Sequence, residues 1–225
     1  MIKAVVFDLD ETLYDEFDFV RGGFKAVAKY VKMEFGLDDK KTYSLLIKSF
    51  KKYGRGRTFD HVFGNREFFN PDAVKKMVEV YRSHDVKLKP YEETIPLLKK
   101  LKKKYLIGII TDEQRELQEG KIKALGIKDF FDLIVFTDDL KAEKPKKDSF
   151  EYLLKRLNLK GHEVVYVGDN PEKDFAGARA LNIKTVRLMK GYFKNIAVTK
   201  KLDADFKIKS LEKLPEVLAR IDGDL

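Results

Sequence analysis

The chain has 225 residues, 44% hydrophobic and 12% aromatic, which suits one domain with an insertion or two small domains and does not suit a disordered chain. It has no cysteine, which excludes disulfides, a thiolate nucleophile and cysteine-based zinc sites; its three histidines, His61, His84 and His162, lack metal-ligand spacing. Charged residues make up 37% and the formal net charge is +9, read first as a solvated lysine-rich surface and second as an attraction for phosphorylated substrates or nucleic acid.

Lys3–Asp8 is a β-branched apolar run ending in an acid and reads as a buried strand. From about Asp15 to Lys89 no strand pattern occurs. Helical patterns run over Phe19–Phe35, Lys40–Tyr53 and Pro71–His84, so this stretch reads as an all-helical insertion hinged at Tyr14–Asp18 and Val86–Pro90. Strand and helix then alternate. Thr94–Lys103 is helical, Tyr105–Thr111 a strand, and Glu113–Leu125 a helix stopped by Gly126. Asp132–Phe136 (strand), Asp148–Leu157 (helix), Glu163–Asp169 (strand), Glu172–Leu181 (helix) and Lys184–Leu188 (strand) follow. Ala204–Ile208 is a weaker sixth strand and Ser210–Arg220 a closing helix. Continuous apolar strands separated by helices predict a doubly wound α/β fold, with a parallel sheet covered on both faces. The core is expected at 1–14 and 90–225 and the insertion at 15–89. No apolar run reaches the roughly 18–20 residues of a membrane span, and the chain opens directly on a strand, so a soluble cytoplasmic protein is expected.

Ligands of open parallel sheets bind beyond the carboxyl ends of the strands. Those ends carry Asp8-Leu9-Asp10-Glu11-Thr12-Leu13, Thr111-Asp112, Lys144-Pro145, and Gly168-Asp169-Asn170 with Asp174. Two like charges about 4 Å apart repel by roughly 4 kcal/mol at an effective dielectric of 20. Gathered carboxylates therefore need compensation, and an oxygen-only donor set favours Mg²⁺ or Ca²⁺ over zinc.

These four segments, in this order, resemble the motifs of the haloacid dehalogenase-like superfamily. So do Asp129-Phe130-Phe131-Asp132 and Asp174-Phe175-Ala176-Gly177-Ala178, and the insertion resembles its C1-type cap in position. The resemblance implies a Rossmann-like core and a Mg²⁺-dependent phosphatase acting on a small phosphorylated metabolite through an aspartyl-phosphate. Asp8 is implied as nucleophile and Asp10 as general acid and then base. Thr111 is implied to bind a phosphoryl oxygen with its hydroxyl and nearby amides, and Lys144 to hold Asp8 and the transferring group. Asp8, Asp169 and the backbone carbonyl of Asp10 would bind the metal, with Asp174 a direct or outer ligand. An acid at position 10 favours phosphate-ester hydrolysis over dehalogenation, where halide leaves unprotonated.

Asp112 departs from the Asn or Gly of many members and is expected to cap the Glu113–Leu125 helix. The cap is expected to close over the site and select the substrate. Arg55 and Arg57, in Gly54-Arg55-Gly56-Arg57, are candidate anion contacts, as is Arg21-Gly22-Gly23, with a solvated turn as the plainer reading of both. Sugar phosphates, triose phosphates, phosphoglycolate and nucleoside monophosphates all stay open as substrates. A phosphosugar mutase, a 2-haloacid dehalogenase and a non-catalytic nucleic-acid-associated module are the alternatives. No aromatic-basic RNA-binding motif, zinc finger or GxxxxGK loop supports the last.

Overall fold

The computed structural model describes residues 1–54 and 56–223. The chain divides into two compact units, Met1–Glu16 with Leu88–Leu225, and Phe17–Lys87. Among the described residues of the first unit, six strands form one sheet: β1 (Ala4–Phe7), β2 (Leu106–Thr111), β3 (Leu133–Phe136), β4 (Val164–Gly168), β5 (Lys184–Leu188) and β6 (Phe206–Ile208). All pairings are parallel and the order is β3-β2-β1-β4-β5-β6, the doubly wound Rossmann-like arrangement.

Strand side chains alternate between faces. On one face Ala4, Val6, Ile110, Val135, Val164 and Tyr166 pack against Phe150 and Leu153 of α8 (Asp148–Leu157) and Phe175 and Ala178 of α9 (Phe175–Ala180). The β2-to-β3 crossover carries α6 (Arg115–Leu125) and moves away from β1 in the direction opposite to the β4-to-β5 crossover. Crossovers share a right hand, so α6 covers the other face. α5 (Thr94–Leu101) packs on β2, and α10 (Leu214–Asp222) ends the chain's described helices. The strand order reverses between β1 and β4, which makes their carboxyl ends the ligand-binding crevice of such a sheet.

Several elements differ from the sequence expectation for local reasons. Glu113 has φ +75°, so helix cannot begin there, and α6 starts at Arg115. The helix expected over Glu172–Leu181 is only α9, because the Asn170 carbonyl accepts from the amides of Lys173 and Asp174 in a turn. Ser210 caps a 3₁₀ turn, Leu211–Lys213, with its side chain accepting from the Glu212 amide at 3.2 Å; α10 follows with Pro215 in its first turn. α7 (Thr137–Leu140) is too short to leave a periodic pattern.

The second unit holds α1 (Phe17–Phe35), α2 (Asp39–Tyr53), α3 (Thr58–Phe63) and α4 (Pro71–Arg82), with no strand among its described residues. Val20, Phe24, Val27 and Val31 line one stripe of α1 and pack with Leu46, Phe63, Ala73 and Met77. Asp38 caps α2 by accepting from the Lys41 amide at 2.7 Å, and Asn70 caps α4 by accepting from Ala73 at 2.9 Å. Arg21-Gly22-Gly23 is not a turn. It lies inside α1, where a Cβ on Gly22 would meet the His84 ring at 2.5 Å and one on Gly23 the Tyr81 ring at 2.4 Å, so the glycines serve helix packing. Arg57 is exposed just before α3, and Arg55 lies outside the described residues. No helix among the described residues is long and apolar enough to cross a membrane.

In the first unit Arg187 on β5 is 1% exposed and ties down the loop that follows. Its guanidinium donates to the carbonyls of Phe193 (2.7 Å) and Ile196 (3.0 Å) and to Asp203 (3.2 Å). Arg187→Met removes all three donations, leaves Asp203 to Lys207 and the Ala204 amide, and frees the loop that the guanidinium held. The expected cost is about 3 kcal/mol, read as a lower urea midpoint at unchanged m-value.

Candidate active site

β1 and β4 end side by side. The Asp8 amide donates to the Val167 carbonyl at 2.8 Å, so Asp8 and Asp169 leave neighbouring strands at the reversal point. Asp8, Asp169 and Asp174 are all buried, and each offers a carboxylate oxygen within 4.8 Å of the others. The buried Lys144 joins them. Its Nζ lies 2.5 Å from Asp8 Oδ1, 2.8 Å from Asp174 Oδ1 and 3.1 Å from the Tyr166 hydroxyl, which uses all three ammonium protons. Asp174 reaches the cluster because residue 168 is glycine: a Cβ there would sit 2.5 Å from Asp174 Oδ2. That oxygen also accepts from the Asn170 amide at 2.8 Å.

Three carboxylates and one ammonium leave a surplus of two negative charges. Burial, followed by the charges of Asp174 and Asp8, holds the Asp169 carboxyl well above its usual range. Burial lifts Asp8 to about 7 against the opposing charge of Lys144. Burial alone would lower Lys144, but Asp174 and Asp8 outweigh it and hold the ammonium charged. Asp169 Oδ1 receives only a long contact from the Thr12 hydroxyl, at 3.4 Å. Its Oδ2 is buried without a hydrogen-bond partner among the described residues. An orphaned buried oxygen and an all-oxygen donor set with surplus negative charge fit a hard divalent cation.

The Asp10 carboxylate is not in that group. Its Oδ1 accepts from Lys121 at 2.8 Å and from the Tyr14 hydroxyl, and its Oδ2 accepts from Gln118 at 2.8 Å. Burial would raise Asp10, yet the Lys121 charge and these hydrogen bonds prevail and hold it below the usual carboxylate value. Thr111, at the end of β2, accepts from the Gln118 amide at 2.9 Å, and its own O–H faces only a 3.5 Å contact with the Asp112 carbonyl.

Asp112 does not cap α6. Its Oδ1 accepts from the Thr137 hydroxyl at 2.9 Å and the Lys144 amide at 3.1 Å, so it fastens the Lys144 loop to the end of β2. The α6 start is served by Asp138, which accepts from the Arg115 amide at 3.3 Å.

The sequence profile described as haloacid dehalogenase-like hydrolase matches residues 5–188. The chain belongs to the haloacid dehalogenase-like hydrolases. Among similar proteins, the glyceraldehyde 3-phosphate phosphatase of Methanocaldococcus jannaschii is 34% identical over 100% of both chains. The pyrophosphatase PpaX of Halalkalibacterium halodurans is 27% identical over 96% of this chain and 97% of its own. The crystal structure of a 2-haloacid dehalogenase from Pseudomonas syringae pv. Tomato DC3000 superposes with a TM-score of 0.68 at 25% identity, covering 98% and 99% of the two chains.

The core of this haloacid dehalogenase-like hydrolase thus brings Asp8, Lys144, Asp169 and Asp174 together, and sets Asp10 and Thr111 in an adjoining network. Arg57 belongs to the other unit. Residues not read from the sequence as site candidates are Lys121, Gln118, Tyr14 and Tyr166. One signal was available. Gln118 and Lys121 share a helical stripe with Ile122 and Leu125, and a lysine on a core-facing stripe demands a partner.

Asp8 carries a stability signature. Its carboxyl binds a proton up to about pH 7 in the metal-free fold but only to about 3.8 when unfolded. The native state therefore binds more protons across that window, and stability falls as pH rises through it. In chelator, Asp8→Asn should melt above the wild type at pH 8, with the gap closing toward pH 5. Gly168→Ala, by displacing Asp174, should reduce the melting-point rise produced by a divalent cation.

Proposed function

We propose that the protein is a Mg²⁺-dependent phosphatase of small phosphate monoesters, acting through an aspartyl-phosphate on Asp8. The observation that carries this reading is the pairing of two electrically different acids two residues apart. Asp8 sits in the anionic cluster with Lys144, and Asp10 sits in its own cationic and hydrogen-bonded pocket. A dehalogenase shares the fold but has no use for the second acid, since halide departs without a proton.

Asp8 and Asp169, with the backbone carbonyl of Asp10, would hold Mg²⁺, and Asp174, already engaged by Lys144, Tyr166 and Asn170, would orient them from behind. The ion would supply positive charge for the phosphoryl oxygens and offset the negative surplus around Asp8, favouring its charged form against burial. Lys144 anchors Asp8 Oδ1, and Oδ2 carries no hydrogen bond among the described residues, so Oδ2 is the oxygen presented to phosphorus. Attack forms the Asp8–phosphorus bond as the bond to the leaving oxygen breaks. Asp10 gives that oxygen its proton, then takes one from the water that releases phosphate from Asp8. The Thr111 hydroxyl, which accepts from Gln118, turns its own proton toward a phosphoryl oxygen.

The 17–87 unit acts as the cap that excludes water and selects the substrate, with Arg57 a candidate anion contact. Glyceraldehyde 3-phosphate is the first substrate to assay, on the strength of the full-length similarity to the Methanocaldococcus jannaschii enzyme, and pyrophosphate is its competitor. Purified protein with Mg²⁺ should release phosphate from the triose phosphate faster than from pyrophosphate. Asp8→Asn should lose at least roughly 10³-fold in kcat. Full turnover in excess chelator, or undiminished turnover by Asp8→Asn, would refute the reading.

A further inference from the structure

α6 turns Gln118, Lys121, Ile122 and Leu125 inward, so a lysine and a glutamine occupy half of a stripe built for apolar packing. Lys121 is 1% exposed and Gln118 0%. Replacing a whole buried ion pair by apolar residues is often neutral or stabilising, so stability alone does not account for a Lys121–Asp10 pair at this position. The Lys121 ammonium is spent on carboxylates, Asp10 Oδ1 at 2.8 Å and Glu16 at 3.8 Å.

Asp10 Oδ1 takes two donors, Lys121 and Tyr14, which occupies both of its lone pairs. Oδ2 takes one donor, Gln118, and keeps one lone pair. The same Gln118 nitrogen lies 2.9 Å from the Thr111 hydroxyl oxygen and 2.6 Å from the Asp112 carbonyl, so its two protons are shared among three acceptors that include both groups that would flank a transferring phosphoryl.

We propose that Lys121 is a positioning residue which, with Gln118 as the second jaw, clamps Asp10 so that Oδ2 is the atom that exchanges protons with the substrate. This rests on the phosphatase reading above. In the first step the proton on Oδ2 goes to the leaving alkoxide as the Asp8–phosphorus bond forms and the ester P–O bond breaks; Lys121 keeps its protons. In the second step Oδ2 takes a proton from water as the water oxygen bonds phosphorus and the bond to Asp8 breaks. Lys121 touches neither substrate nor metal. It acts by denying Asp10 other orientations.

The test compares kcat/KM on two esters with leaving groups of opposite need. An alkyl phosphate requires a proton on its leaving oxygen; 2,4-dinitrophenyl phosphate does not. kcat/KM reports only steps through the first irreversible one, transfer to Asp8. Lys121→Met should lower kcat/KM on the alkyl ester by about 30-fold or more, within the usual range of general acid catalysis, and on the dinitrophenyl ester by less than about 3-fold. Asp10→Asn should show the same split, and the double variant should be no worse than Asp10→Asn alone. If Lys121→Met melts well below the wild type, Lys121→Gln, which keeps a donor without the charge, is read on the same pair of esters. Equal losses on both esters, or no loss on the alkyl one, would overturn the proposal. Wild-type turnover of both esters, abolished by Asp8→Asn, is the control. Its failure would bring down the phosphatase reading and this proposal with it.

Discussion

Three buried carboxylates share one buried ammonium where the sheet reverses its strand order. In a parallel sheet, neighbouring strands lie about 4.8 Å apart, so acids that end β1 and β4 cannot avoid each other. Asp8 and Asp169 are placed by that geometry, and Asp174 is added by the turn at Asn170. Lys144 offsets one charge and leaves two. Much of the surrounding structure serves to keep this unfavourable arrangement in place. Gly168 leaves room for Asp174, Asp112 fastens the backbone that carries Lys144, and Tyr166 spans Lys144 and Asp174 with its hydroxyl. Packing of Phe150 edge-on against the Tyr166 ring, at 5.0 Å, holds that hydroxyl in turn.

Asp10 lies only two residues from Asp8 yet answers to a different field. A positive φ of 58° at Glu11 turns the chain immediately after Asp10. The Asp10 side chain meets Lys121 and Gln118 of α6, from the opposite face of the sheet to α8 and α9, and the hydroxyl of Tyr14 from the segment that follows β1. Asp8 is lifted by burial, with the charges of Asp174 and Asp10 adding to it, and Asp10 is lowered by its donors. The sense is opposite to that of a nucleophile and an acid in the metal-free fold. A cation beside Asp8 would favour its charged form against burial and the neighbouring acids, whereas Asp10 stays dependent on its own donors. The two acids therefore meet different partners although the backbone joins them closely.

Much of the first unit was legible in the sequence because parallel strands buried on both faces leave unbroken apolar runs, and β5 and α8 match their expected bounds residue for residue. The strand-end acids were legible because their positions follow from the ends of those runs. The short pieces were not. α7 and α3 span four and six residues, less than two helical turns, and carry no period to read. Glu113 and Asn170 shortened helices through backbone geometry that helix propensity does not register. Arg21-Gly22-Gly23 looked like a turn because glycine frees the backbone, but in α1 its use is to let aromatic rings approach.

By itself, then, the order of residues determined which acids lie at strand ends, the alternation that forces a parallel sheet, and the family to which these belong. Local periodicity and spacing suffice for each. Only the tertiary structure decided which donors each acid meets. Lys121 and Gln118 contact Asp10 across 111 and 108 residues, and Asp112 meets Lys144 across 32. Such pairings depend on which faces the crossovers place together, and no one-dimensional pattern carries that information.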